Sequence, residues 1–102
     1  MNAIYKALQD CIGFEWDKNN IKKNWEKHHV SPIESEQIFF KKPLLIVADI
    51  KCSEEENRYY ALGCTDRDRK LFIVFTIRKK RIRVISSRDM SKKERKEYEK
   101  YN

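Results

Sequence analysis

The residues of this chain best suited to chemistry are four arginines in its C-terminal half: Arg58, Arg78, Arg83 and Arg88. A guanidinium stays charged at physiological pH and offers a planar fork of N–H groups that fits phosphate bidentately. Arg78 and Arg83 lie in two alternating apolar/polar runs, residues 70–78 and 81–88, joined by Lys79 and Lys80. Two such runs predict a β-hairpin. With Arg78 opposite Arg81, the pairs Ile77–Ile82, Phe75–Val84 and Ile73–Ser86 make an apolar face. Arg78–Arg81, Thr76–Arg83 and Val74–Ile85 make the other. Facing side chains lie about 5 Å apart, so clustered like charges repel, and a plain structural role does not recover that cost. A phosphate does. Lys-Lys is a poor type I′ turn, and a four-residue loop in the same register fits equally well. Arg58 opens the preceding strand and Arg88 closes the second run, so each either joins the patch or faces solvent.

The elements that must position these groups follow from periodicity and caps. Residues 2–11 put Ile4, Ala7, Leu8 and Cys11 on one helical face, and Gly13 stops the segment. Phe14 to Trp16 reads as a short strand. Asp17 is an N-cap for a helix to His28, in which Ile21, Asn24, Trp25 and His28 share a face. Ser31, Pro32 and Glu34 spell a capping box with proline at the first helical position, and this helix ends near Phe40. Residues 44–50 and 58–64 read as strands, and Ser91 with Glu94 caps a last helix. The expected fold is α+β: an antiparallel sheet of about four to five strands with helices packed on it. The 102 residues make one domain, with residues 1–13 as an N-terminal helical extension.

Charge narrows the function. Residues 1–50 carry seven basic and seven acidic residues, whereas residues 51–102 carry sixteen and nine, so the whole net charge of +7 sits in the second half. Such polarity fits a face that attracts a polyanion, or a lysine-rich surface that keeps the protein soluble. Three cysteines without CxxC spacing, Cys11, Cys52 and Cys64, and two adjacent histidines give no zinc pattern. No apolar run is long enough to span a bilayer and no signal-peptide core is evident, so the expected location is the cytoplasm. His28 is a natural acid–base candidate because histidine titrates near neutrality, yet its helix face equally suits a packed histidine at a helix end. Glu56, Asp17 and Tyr98 are weaker candidates. Lys92, Arg95 and Lys96 on the last helix, with Lys79, Lys80 and Arg81 at the hairpin turn, are expected to contact RNA or a partner.

The ordered blocks Phe14-Glu15-Trp16-Asp17, Asn24, Lys27-His28-x-Val30-Ser31, Glu56-x-Arg58-Tyr59 and Ala61-x-Gly63 resemble the BrnT toxin family. So do Leu71-Phe72-x-Val74-x-Thr76-x-Arg78, Ile82-Arg83-Val84-Ile85-Ser86-x-Arg88 and Glu94-Arg95-x-x-Tyr98-Glu99. The resemblance implies a RelE-like ribonuclease fold, a type II toxin–antitoxin pair and RNA cleavage, with no metal or other cofactor expected, that inhibits translation. It also implies neutralisation by a BrnA antitoxin whose ribbon-helix-helix region binds operator DNA. On that reading Arg58, Arg78, Arg83 and Arg88 bind phosphate and stabilise its developing charge. A non-catalytic nucleic-acid- or partner-binding subunit of a repressor complex is the alternative. Three departures stand out: His29 where the family usually has glycine, Ser87 for alanine, and Lys42 for an acidic residue.

Overall fold

The computed structural model describes residues 3–49 and 58–101. The elements run α1 (Ala3–Gln9), β1 (Gly13–Glu15), α2 (Lys18–His28), α3 (Pro32–Gln37), a 3-10 turn (Ile38–Phe40) and β2 (Leu45–Asp49). They continue through β3 (Arg58–Cys64), β4 (Lys70–Arg78), β5 (Arg81–Asp89) and α4 (Lys92–Glu99). The caps are where the side chains predict them. Asp17 accepts from the backbone N–H groups of Asn19 and Asn20, and Ser31–Glu34 and Ser91–Glu94 both form complete capping boxes. His29 stands in the left-handed region at φ 53°, ψ 40° and closes α2, a conformation glycine adopts more cheaply.

The strands form one sheet in the order β1-β5-β4-β3-β2. It is mixed rather than wholly antiparallel, because β1 joins the outer edge of β5 in parallel, with Glu15 opposite Arg83. One face of the sheet is the core: Ile46, Ala61, Leu71, Ile73, Phe75, Ile82 and Val84 pack with Ile4, Val30 and Ile38. Gly63 is required there, since a Cβ would lie 2.9 Å from the Cβ of Ile38. Beyond β1, Asn24 of α2 takes over the edge of β5 by accepting from the Ser87 backbone N–H at 3.2 Å. The Ser87 hydroxyl is buried and pairs with that of Ser35 at 2.8 Å, so the serine that replaces alanine is satisfied. At the other edge, Tyr5 of α1 accepts from the Ile46 backbone N–H and donates to the Leu44 carbonyl.

The hairpin register corrects the sequence expectation halfway along. Arg78–Arg81, Ile77–Ile82, Thr76–Arg83 and Phe75–Val84 pair as predicted. A β-bulge then intervenes, so Val74 faces Ser86 and Ile73 faces Ser87, not Ile85 and Ser86. The turn is the tight one: Lys79 and Lys80 both have positive φ, 49° and 62°, and Arg78 pairs directly with Arg81. Left-handed backbone costs a residue with a Cβ on the order of 1 kcal/mol, so this tip is strained.

Candidate nucleic-acid interface

The bulge decides which arginines share a face. Arg83 and Arg88 are five residues apart, so strict alternation would send them to opposite sides. The extra residue, Ile85, restores Arg88 to the side of Arg83, opposite Phe72. The face away from the core therefore carries Arg81, Arg83, Ser86 and Arg88 from β5. From β4 it carries Phe72, Val74, Thr76 and Arg78, and from β3 Tyr60 and, by alternation, Arg58. α4 covers one end of this face: Tyr98 reaches Cys64 Sγ, and Glu94 reaches Arg88. The other end is open.

Arg83 sits at the centre of the open part. Glu15 and Thr76 are its register partners, and Nη2 lies 3.4 Å from Asp17 Oδ2. The Glu15 Oε2 is buried with no hydrogen-bond partner. Two carboxylates thus flank a guanidinium whose geometry is loose by the standard of a charge-assisted bond. Arg78, Lys79, Lys80 and Arg81 are all exposed at the tip, one row away, and Arg58 is exposed at the start of β3. The remaining predicted groups are placed otherwise. Arg88 lies about 13 Å along the sheet from Arg83, four β4 residues away across the bulge. It forms a bidentate pair with Glu94 at 2.9 Å on each arm and stacks 4.1 Å over the Phe72 ring. The hydrogen bond from Arg88 holds the Glu94 carboxyl below the usual carboxylate range. Lys92, Arg95 and Lys96 are exposed on α4 at this same end.

His28 is not brought to the arginine patch. It lies near Asp89 at the far end of β5, its carbonyl accepts from Arg69, and its face of α2 buries Asn24 while Trp25 is 52% exposed. Tyr98 is fully buried and donates to the Pro43 carbonyl at 2.7 Å; burial pushes its phenol well up, which suits a packing role. Glu56 and Cys52 lie outside the described residues. Sequence reasoning missed two features of the open face. Glu15 is read only as part of a strand, because nothing local shows β1 beside Arg83. Tyr60 and Phe72, with ring centroids 5.1 Å apart, share the face and are of a type on which bases stack; their signal was the parity they share with Thr76 and Arg78. Among the described residues, no group of three or more potential metal-ligating side chains gathers.

A helix-backed mixed sheet whose second face is basic and partly aromatic makes this a small α+β protein. A family model described as the ribonuclease toxin BrnT of type II toxin–antitoxin systems matches residues 16–94, and the chain belongs to this family. Among solved structures, the ribonuclease toxin BrnT of Brucella abortus is similar in fold. The TM-score is 0.56 at 19% identity, over 79% of this chain and 99% of that chain. No curated protein matches in sequence. A type II toxin implies an antitoxin partner. No helix among the described residues is long and apolar enough to cross a membrane.

Proposed function

We propose that the open sheet face binds single-stranded RNA and cleaves it without a metal, with Arg83 as the principal phosphate ligand. Metal-free cleavage uses the neighbouring 2′-hydroxyl as nucleophile, so the protein must shift protons and stabilise a charged phosphorane. The observation that carries the reading is Arg83 held mid-strand beside Thr76, with one 3.4 Å contact to Asp17 and exposed cations in the adjoining row. A phosphate oxygen offers a better partner than that contact. Arg78, from the adjacent strand β4, and Arg58, from β3 one strand further, approach the same phosphate. Arg88, already engaged by Glu94, orders the far end of the path with Phe72, and Lys79, Lys80, Arg81, Lys92, Arg95 and Lys96 hold the flanking backbone. Asp17 and Glu15 are the carboxylates beside Arg83, and His28 lies away from it. Loss of the cut RNA inhibits translation in the cytoplasm, and the partner is a BrnA-type antitoxin that carries the complex to operator DNA.

The test is incubation of the purified protein with RNA in EDTA. Fragments ending in 2′,3′-cyclic phosphate are expected, and their loss with Arg83→Ala. Uncut RNA would overturn the catalytic reading. The Arg88–Glu94 pair favours one second reading, a subunit that binds nucleic acid without cutting, because it shows one candidate cation already neutralised. Retained RNA affinity without cleavage would select it.

A further inference from the structure

We infer that the apolar cleft between α1 and the 3-10 turn docks an acidic, amphipathic helix of the antitoxin. The inference rests on the toxin–antitoxin pairing but not on RNA cleavage. The cleft encloses about 1040 Å³, and Tyr5, Leu8, Ile12, Phe39, Phe40 and Tyr101 supply most of its apolar wall. Ile12, Phe40 and Tyr101 are 74%, 80% and 63% exposed, so three large apolar side chains gather at one place on the surface. Soluble proteins seldom leave such a patch uncovered unless it is an interaction site.

The charge around the cleft selects the occupant. Its lining contains Lys41 and Lys42 and no acid. Lys42 is exposed and has no ion pair among the described residues. The mouth is tied to the basic hairpin tip: the Ile12 backbone N–H donates to the Lys80 carbonyl at 2.8 Å, and Gly13 pairs with Arg81. An apolar floor with a basic rim fits a helix that carries an apolar stripe and acidic flanks. A second copy of this chain fits poorly, because it brings another +7 to the same lysines. A helix seated here also runs its acidic flank toward Arg81 and Arg78, where it competes with RNA.

The cleft lies partly within the matched family region and partly outside it. More than half of its lining residues lie outside residues 16–94, and the match to the Brucella toxin covers 79% of this chain.

The experiment co-expresses the full chain with the small protein encoded beside its gene and measures the Kd of the purified pair. Ile12→Asp with Phe40→Asp is expected to weaken the complex roughly 30-fold or more, as loss of central anchors does. Both positions are exposed, and circular dichroism checks the fold. Lys42→Glu is expected to weaken it less, with the loss fading at high salt. An unchanged Kd in the double variant overturns the inference, as does a wild-type chain that does not bind the neighbouring protein. So does a homodimer in sedimentation that the double variant converts to monomer. A chain that cuts RNA but binds its partner normally through the double variant defeats only the cleft. A chain that cuts nothing yet loses its partner in the double variant defeats only the nuclease.

Discussion

Arg69 and Arg83 are chemically identical, and the protein uses them in opposite ways. Arg69 has all five donors engaged inside the fold: Nε and Nη2 on Asp89, Nη1 on Glu34, and one bond each to the carbonyls of His28 and His29, at 2.8 to 3.1 Å. It thereby ties the C-terminus of α2 and the capping box of α3 to the end of β5. Arg83 has a single side-chain contact among the described residues, at 3.4 Å, beside a second carboxylate that accepts nothing on its buried oxygen. A guanidinium with every N–H matched is structural. One left under-matched on an open face retains its capacity for a ligand.

Four perturbations sharpen or break that contrast. Arg83→Ala is expected to lower single-turnover RNA cleavage by about 10²-fold or more while the thermal midpoint barely moves. Arg69→Ala should do the reverse. It is expected to destabilise the fold by about 2–3 kcal/mol in urea titration, since it strands two carboxylates and two carbonyls, with cleavage per folded molecule retained. It also changes the pH response. The hydrogen bond from Arg69 holds the Asp89 carboxyl below its usual range. At Glu34 burial opposes the charge, but bonds from Ser31 and Arg69 outweigh it and the net shift is also downward. Both groups bind protons less readily folded than unfolded. Their stabilisation is therefore full above the unfolded values near pH 4 to 5 and is lost as pH falls through the lower folded values. Urea titrations between about pH 5 and pH 3 should show this slope in the wild type and a shallower one in Arg69→Ala.

Lys79→Asn with Lys80→Gly relaxes the strained tip. It should add about 1 kcal/mol of stability, read in the same titration. Removing two cations should also flatten the salt dependence of RNA binding by about 1.4 units of log–log slope. The smallest effect belongs to Asp17→Asn. Asparagine caps helices as well as aspartate, so stability should hold to within a few tenths of a kcal/mol. RNA should bind about threefold tighter once the competing carboxylate is gone, the scale of a partly exposed ion pair. A hundredfold loss of turnover would instead assign Asp17 the proton transfer.

Much of the fold was legible because the signals are local. Asp17, Ser31 and Ser91 cap helices where the side chains say they should, and β3 and β4 begin and end at the predicted residues. The site was legible only in part. Alternation identified Arg83 and Thr76 as neighbours, but no local rule announces the extra residue at Ile85 that turns Arg88 toward the same face. The parallel pairing that sets Glu15 beside Arg83 joins segments about seventy residues apart. Trp25 sits on the predicted apolar side of α2 yet is half exposed, because Asn24 takes the buried position against β5. Arg69, which holds three elements together, has no sequence signature at all, since its partners come from three separate places in the chain.

Single-turnover cleavage of one short RNA by folded Arg83→Ala, measured beside wild type in EDTA, bears most directly on the open-face arginine. A rate lower by about two orders of magnitude or more is predicted for a lost charge-stabilising contact. A variant that cuts as fast as the wild type, with an intact fold, would contradict it.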